Sequence, residues 1–377
     1  MRVRTTLVGA TALLVSAALA APAAFAAGDD GHGHDATRKA VDAAVAAGVP
    51  GVTATVREAH GTWSATAGVG DLRTGKPRST ADRYRVASIT KTFVATVLLQ
   101  LEAEGRLSLD DTVDKWLPGV VEGHGHDGRH ITVRQLLNHT SGIYNYLADA
   151  DFQRAYFTAD GFSKHRYDTV DARDLVAIAM RHKPDFAPGT SWTYSNTNYV
   201  LAGMVIEKVT GRPYAAEISR RVIRPLRLTA TSVPGTKVTL PQPSSRAYSK
   251  FRDPSGPTYD VTTLNPSIAS SAGEMISDSA DLDRFYGALL GGKLLPPEQL
   301  KEMKTTVDTR IAPDVRYGLG LMDTRLTCGV HVWGHTGGIH GSSSEVATTP
   351  DGRHSVAVNF NGDWSGDTTS VLEGEFC

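Results

Sequence analysis

Three short motifs constrain the fold of this chain most, because they can act as one site only if the fold brings them together. They are Ser88-Ile-Thr-Lys91, Tyr194-Ser-Asn196 and His335-Thr336-Gly337. The second begins 106 residues after Ser88, and the third 141 residues after Tyr194. A Ser-x-x-Lys string alone is expected about once or twice by chance in a chain of this length. Order, spacing and local context together indicate a serine acyl-transfer site.

The first motif pairs a nucleophile with a base. A serine hydroxyl is a weak nucleophile and needs a base within hydrogen-bond reach. If a helix begins at or just before Ser88, Lys91 lies on the same face and can point at the Ser88 hydroxyl. The helix N-terminus also favours the negative charge that develops during attack. Taken alone, Ser88 could equally cap the helix and Lys91 be a surface lysine, but the other two motifs favour catalysis.

The second motif lies in a loop that leads into a predicted helix over Val200 to Val209. A phenol is a poor base unless a cation such as Lys91 stabilises the phenolate of Tyr194. Asn196 offers a donor and an acceptor, which suits holding Lys91 and a substrate amide. The alternative is that Tyr194 is a packing aromatic and Asn196 a turn or cap residue.

The third motif, followed by Gly338, is predicted to end a strand. Its glycines would let a substrate backbone approach closely, and an exposed strand edge can pair with a peptide. A catalytic histidine of a Ser-His-Asp triad is the rival interpretation of His335. The absence of a Gly-x-Ser-x-Gly string from the sequence weakens that rival.

The N-terminus is predicted to be an export signal over residues 1–26. Arg2 and Arg4 precede an apolar run from Leu7 to Ala20, and small residues before Ala27 suit cleavage. The run is too short for a membrane span, and we therefore expect a secreted protein without a membrane anchor. A formal net charge of −1 indicates no nucleic-acid surface.

The remaining chain is predicted to form a flexible leader over residues 27–35 and one domain over 36–377. Strand-like runs near both ends predict an antiparallel sheet completed by both termini, in an α+β fold. The sheet lobe would comprise residues 36–109 and 265–377, and residues 110–264 a separate helical lobe. An active site between the two lobes follows from that arrangement.

The two cysteines, Cys328 and Cys377, are predicted to form a disulfide because the protein is expected to be exported. No metal site is predicted. His32 and His34 lie in the expected leader, and His124 and His126 lie in a Gly-rich loop without a third ligand at a recognisable spacing.

With these motifs, the chain resembles the serine penicillin-recognising family, which includes class C β-lactamases, secreted D-alanyl-D-alanine carboxypeptidases, esterases and D-aminopeptidases. The resemblance covers nearly the whole mature chain. Further stretches that carry it are Leu136 to Gly142, residues 186–203, Ser271 to Ser277 and Tyr317 to Leu321. It implies a β-lactamase/transpeptidase-like fold, an antiparallel sheet flanked by helices plus a helical lobe.

The resemblance also implies roles for the motif residues. Ser88 would be the acylated nucleophile, with Lys91 and Tyr194 handling protons and Asn196 binding the substrate amide. Backbone N–H groups of Ser88 and Gly338 would form the oxyanion hole. Thr336 would contact the substrate carboxylate, and Gly337 belongs to the same substrate-binding strand.

Three positions distinguish this chain within the family. His335 replaces the usual lysine of Lys-Thr-Gly, as in secreted carboxypeptidases of actinomycetes, and it could supply positive potential near a substrate carboxylate. Gly338 stands where those carboxypeptidases have threonine, and Met322 where they have an arginine. Both replaced residues help to hold the terminal carboxylate of D-Ala-D-Ala.

From these observations we expect a secreted, monomeric serine D-alanyl-D-alanine carboxypeptidase without a cofactor. Its partners would be peptidoglycan-like peptides ending in D-Ala-D-Ala, and β-lactams as inhibitors or substrates. The alternatives are a class C-like β-lactamase, a D-aminopeptidase, an esterase, and a non-enzymatic penicillin sensor that acylates at Ser88 without turning over.

Overall fold

A nine-stranded antiparallel sheet is built from both ends of the chain. The computed structural model describes residues 33–377, so the predicted signal peptide and residues 27–32 of the leader lie outside the described residues. The first strands are β1 (Gly51–Glu58), β2 (Gly61–Asp71) and β3 (Lys76–Pro77), and the last are β10 (Val307–Asp308), β11 (Val315–Tyr317), β12 (Met322–Arg325), β13 (His331–Ile339), β14 (Ser342–Thr348) and β15 (Ser355–Phe360). Their order is β10-β11-β12-β13-β14-β15-β1-β2-β3.

The pairing of β1 with β15 closes the sheet between the two chain ends. Val52 lies opposite Phe360 and Val56 opposite Val356, while β2 folds back on the other side of β1. Six short strands make two-stranded pairs outside this sheet: β4 (Tyr84–Arg85) with β9 (Ile276–Ser277), β5 (Glu122–Gly123) with β6 (His126–Asp127), and β7 (Tyr248–Ser249) with β8 (Tyr259–Asp260). The predicted antiparallel sheet shared by both termini is confirmed.

Helices fill the middle of the chain and flank the sheet. They are α1 (Asp35–Ala46), α2 (Thr90–Ala103), α3 (Val113–Trp116), α4 (Val133–Leu137), α5 (Ala150–Tyr156), α6 (Ala159–His165), α7 (Ala172–Met180), α8 (Asn196–Thr210), α9 (Tyr214–Ile218), α10 (Arg224–Leu226), α11 (Ser279–Leu290), α12 (Pro297–Met303) and α13 (Thr369–Phe376). A π-helical segment, Ser219–Ile223, joins α9 to α10. None of the helices within residues 33–377 is long and apolar enough to cross a bilayer.

The two faces of the sheet contribute to different cores, since side chains alternate along a strand. Val356 and Val358 point into an apolar cluster with α1 and α13. Ala357, between them, points the other way, into a larger cluster built around α2, α8 and α11. That larger cluster joins Leu98 of α2 to Leu201 of α8, so the helices between residues 113 and 226 share a core with the sheet.

Two predicted boundaries are wrong by a few residues. Helix α8 begins at Asn196, so the second motif straddles a helix start instead of lying wholly in a loop. Strand β13 continues to Ile339, so the third motif lies inside it. At the boundary predicted between the leader and the domain, α1 starts at Asp35, and the ring of His34 stacks on Trp63 with 4.7 Å between centroids.

The predicted disulfide between Cys328 and Cys377 is present, with Cα atoms 5.8 Å apart. Cys328 lies in the connection between β12 and β13, and Cys377 follows the last residue of α13. The bond therefore fastens the C-terminal helix to the connection that leads into the strand of the third motif.

Candidate active site

The nucleophile motif lies where a tight turn becomes helix α2. Residues Ala87–Ile89 form one turn of 3-10 helix, entered at Ala87 with a φ of 49°, and α2 starts at Thr90. The residue just before strand β9 holds this turn in place, because the amide of Met275 donates to the Thr90 hydroxyl at 3.1 Å. Ser88 is thereby half-buried at the end of a helix whose Lys91 is completely buried.

Lys91 has three polar neighbours. Its Nζ lies 2.9 Å from Ser88 Oγ, 2.8 Å from Asn196 Oδ1 and 2.7 Å from the carbonyl oxygen of Ala272. Burial holds the pKa of Lys91 well below its usual value. In its neutral form, which burial favours, the amine has two N–H groups, and the two carbonyl oxygens, which can only accept, use both. Its lone pair then faces the Ser88 hydroxyl, which is the arrangement of a general base.

Tyr194 remains a phenol in this site. Burial raises its pKa well above the usual value, and an interaction with Ser88 offsets only part of that rise. The Lys91 Nζ lies 4.8 Å from the centre of the Tyr194 ring, but the burial that lowers the pKa of Lys91 disfavours the cation that would stabilise a phenolate. The phenolate base considered from the sequence is therefore disfavoured. A protonated Tyr194 beside Ser88 is suited to give a proton to a leaving group.

Asn196 is oriented by a residue that the sequence did not single out. Asn145 Oδ1 accepts from the backbone amide of Asn196 at 3.2 Å and lies 3.4 Å from its Nδ2. With its amino group turned to Asn145, Asn196 presents Oδ1 to Lys91. Asn145 thus fixes the side chain that holds the base.

His139 supports the loop of the second motif and was also missed as a single residue. Its Nδ1 accepts from the backbone amide of Ser195 at 3.2 Å and from Asn198 Nδ2 at 3.1 Å. Its ring centre lies 4.3 Å from that of Tyr194. Burial, with Lys91 and His335 nearby, holds its pKa well below the usual value. The backbone of His139 has a φ of 63°, which is rare for residues other than glycine and marks this position as unusual. The amino-acid sequence does not reveal a backbone angle, so it could not have identified His139.

His335 is buried and uncharged. Its Nδ1 lies 2.6 Å from the carbonyl oxygen of Thr336, so this nitrogen carries the proton. Its Nε2 lies 2.8 Å from the Tyr317 hydroxyl and accepts from it. Burial, with Lys91 nearby, lowers the pKa of His335 to about 3. The positive potential considered for His335 from the sequence is therefore not present at neutral pH.

Gly337 allows strand β13 to contact the nucleophile turn directly. A Cβ at this position would lie 2.1 Å from the carbonyl oxygen of Val86, so only glycine fits. Strand β13 pairs with β12 from His331 to Gly334. From His335 onward, the edge of β13 on the β12 side has no partner among the described strands. This free edge, beside Ser88, is where an extended substrate backbone can pair.

The outer face of the same strand is open. Thr336 and Gly338 are exposed, and a Cβ at Gly338 would meet nothing within 4 Å. Gly338 also lines a cavity of about 230 Å³ with Phe157, Phe251 and Arg252. Met322, on the neighbouring strand, is buried against Trp192 and Tyr317. The structure therefore brings all the predicted catalytic and substrate-binding residues to one place, with their roles still predictions.

Comparison with known proteins agrees with this geometry. The profile of the Beta-lactamase family matches residues 37–371. Penicillin-binding protein 4* of Bacillus subtilis is 27% identical over 304 residues, which cover 78% of this chain and 64% of that protein. This chain therefore spans less than two thirds of that relative's length.

Two solved structures are similar over most of both chains. A D-stereospecific amidohydrolase from a Streptomyces species is 62% identical, with a TM-score of 0.87 covering 91% of this chain and 98% of that one. A D-amino acid amidase from Ochrobactrum anthropi, complexed with L-phenylalanine amide, is 29% identical, with a TM-score of 0.77 covering 90% and 97%.

Proposed function

This chain belongs to the Beta-lactamase family, and we propose that it is a secreted D-stereospecific amidohydrolase that works through an acyl-enzyme on Ser88. Its substrates would be amides and short peptides in which the acyl group that reacts belongs to a D-amino acid. The 62% identity to a D-stereospecific amidohydrolase supports this choice within the family. The fold and the serine hydrolase family are common to all the candidate activities, so the choice depends on how the site treats the leaving-group side.

The observation that carries the choice is the lack of charge at His335 and Met322. A carboxypeptidase must recognise a terminal carboxylate, and these are the two positions where the family resemblance places cations for that purpose. His335 is neutral above about pH 3, and Met322 is a buried thioether. Neither compensates the desolvation of a carboxylate, whereas a neutral carboxamide needs no such cation.

The D-alanyl-D-alanine carboxypeptidase expected from the sequence remains the second candidate. The exposed Thr336 on the free edge of β13 favours it, since a hydroxyl there can donate to a carboxylate. A hydroxyl alone binds a carboxylate more weakly than a charge-assisted pair does. We therefore expect any carboxypeptidase activity to be weaker than amide hydrolysis.

The proposed reaction has two half-reactions. Lys91 takes the proton of Ser88, whose Oγ bonds to the substrate carbonyl carbon while Tyr194 protonates the departing nitrogen. The C–N bond breaks, the amine leaves, and the acyl group stays on Ser88 as an ester, while the proton held by Lys91 passes to Tyr194 and restores both residues. Water then attacks the ester and loses a proton to Lys91, the ester C–O bond breaks, that proton returns to the Ser88 oxygen, and the D-configured acid is released.

A side-by-side assay tests the proposal. D-phenylalanine amide should be hydrolysed at least about 100-fold faster, as kcat/KM, than its L-enantiomer. It should also be a better substrate than an acyl-D-Ala-D-Ala peptide or nitrocefin. Ser88→Ala should lower the rate by roughly four orders of magnitude or more, and Ser370→Ala, on the exposed side of α13, should leave it unchanged.

Other outcomes assign the protein differently. Faster release of D-Ala from the peptide than of ammonia from the amide would make it a carboxypeptidase. Rapid nitrocefin turnover without amide hydrolysis would place it with the β-lactamases. A stable penicillin adduct on Ser88 with no turnover of any substrate would indicate a sensor.

A further inference from the structure

Two histidines and two glutamates, none of them in a catalytic motif, meet in one cluster. His34 precedes α1, Glu58 ends β1, His354 lies just before β15, and Glu375 lies in α13. No two of them come from the same segment of chain, so no sequence spacing reveals them. They bring together the first helix, the last helix and the ends of two central strands.

The donor atoms of this cluster are close to one another. His354 Nε2 lies 2.7 Å from one oxygen of Glu375 and 3.6 Å from one oxygen of Glu58. On the other side, His34 Nδ1 lies 3.1 Å from the second oxygen of Glu375, and His34 Nε2 lies 4.0 Å from the second oxygen of Glu58. One donor atom each from Glu58, His354 and Glu375 lies within 4.8 Å of the others.

We propose that this cluster is a binding site for a zinc-like divalent transition-metal ion. Ligands about 2.0–2.2 Å from a tetrahedral metal are about 3.3–3.6 Å apart, and His354 Nε2 lies 2.7 Å from Glu375 and 3.6 Å from Glu58, close to that range. Glu58, His354 and Glu375 supply three ligands, a water can supply the fourth, and His34 contacts the second oxygens of both glutamates. Imidazole with carboxylate is a donor set that zinc accepts and that magnesium and calcium do not favour.

Charge and access also suit a cation. The carboxylates of Glu58 and Glu375 bring two negative charges to the cluster, which one divalent ion neutralises. Glu375 is almost fully buried, with 1% of its side chain exposed, and Thr37 Oγ1 donates to it at 2.6 Å, which fixes its orientation. Glu58, with 44% exposed, leaves the cluster open to solvent. An ion can therefore enter beside Glu58 and find Glu375 and His354 already in place.

Without an ion, the same residues hold each other by hydrogen bonds and ion pairs. Because an ion would link α13 to the ends of β1 and β15, it should stabilise the folded state by mass action.

Calorimetric titration of untagged, EDTA-treated mature protein with zinc chloride at pH 7.5 tests the site. We expect one ion per chain with a dissociation constant in the micromolar range or tighter, and a rise in melting temperature on addition of zinc. His354→Ala and Glu58→Gln should each weaken binding by about tenfold or more and reduce the rise in melting temperature. His331→Ala removes an exposed histidine paired with Asp323 and should change neither result.

Failure to bind zinc at about 100 micromolar would overturn the proposal. Binding that is as tight in His354→Ala as in the parent protein would also overturn it, because the histidines of the N-terminal segment would then be the ligands on their own. Both variants lie at the partly exposed edge of the cluster, and retained amidase activity would show that they are folded.

Discussion

The active site and the cluster that joins the chain ends are both polar groups in protected surroundings, but they treat charge in opposite ways. Around Lys91, the partners are a hydroxyl, an amide oxygen and a carbonyl oxygen, and none of the three is a carboxylate. At the chain ends, Glu375 faces His34 and His354, and hydrogen bonds to these histidines and Thr37 hold its pKa below the usual value despite burial.

The active site lowers the pKa of its basic side chains and so disfavours positive charge. The chain-end cluster stabilises the charge of Glu375. Lys91, His139 and His335 all have lowered pKa values because they are buried without a carboxylate partner. A catalytic lysine needs that environment, since an ammonium ion cannot take the proton of serine. A link between helices needs the reverse, because its strength comes from charge pairing.

The largest expected effect on activity comes from placing a carboxylate, as found in the chain-end cluster, beside Lys91 in the active site. Asn196→Asp places a carboxylate beside the Lys91 amine, which raises the pKa of the lysine and protonates it at pH 7. Penicillin acylation and amide hydrolysis should fall by about 10²–10⁴-fold at pH 7. The acid limb of the pH–rate profile should move to higher pH, so the deficit shrinks as pH rises.

Asn196→Ala is the matched control for that change. It also removes a hydrogen bond from Lys91 and should slow acylation, but it adds no charge and should not move the acid limb upward. If the two variants have superimposable pH profiles, a neutral Lys91 is not what limits acylation.

The next effect concerns the covalent link at the chain ends. Cys377→Ser opens a loop of 49 residues, and the chain-entropy model gives a loss of roughly 4 kcal/mol in the free energy of unfolding. Urea denaturation with and without reductant measures it: reductant should destabilise the parent and leave the variant unchanged. A parent protein that is indifferent to reductant would contradict the prediction.

Glu345 offers an intermediate case, a carboxylate buried with hydroxyl partners only. Thr368 donates to it at 2.6 Å, and burial raises its pKa from 4.5 to about 7. Its ionisation therefore costs folding stability as pH rises from about 4.5 to about 7. Glu345→Gln should stabilise the protein by about 1–3 kcal/mol at pH 8 and by much less at pH 4.5, as measured by denaturation at the two pH values.

The smallest effect tests a single donor at the chain ends. Thr37→Val keeps the shape of the side chain but removes the hydroxyl that donates to Glu375. In buffer with EDTA, the free energy of unfolding should fall by about 1 kcal/mol. Amide hydrolysis should not change, because α1 packs on the sheet face opposite α2. A loss of activity with unchanged stability would show that the two regions are coupled.

Sequence predicted the parts of the fold that depend on local patterns. The helix that begins near Ser88 and the helix that follows the second motif are both present, and strand-like runs near both ends predicted the antiparallel sheet. The three motifs predicted the site because each contains side chains that can act as nucleophiles, transfer protons or form hydrogen bonds. What sequence could not predict are the states of those residues, which depend on burial by distant segments.

His335 and Asn145 illustrate this limit. The neutral state of His335 results from its burial and its contact with Tyr317, on another strand. Asn145 lies in a loop whose residues have no distinctive spacing, and its role becomes visible only when it meets Asn196. The free edge of β13 at Gly337 likewise depends on where the hydrogen bonds between β12 and β13 end, and sequence does not show that point.

The pairing of β1 with β15 has a consequence for when the protein can fold. Partners such as Val52 and Phe360 are separated by about three hundred residues, so the centre of the sheet has a very high contact order. During synthesis, the first strand must wait without its neighbour until almost the whole chain has been made. A polypeptide of this topology therefore stays unfolded until late in its synthesis, a state that would suit the export proposed for this protein.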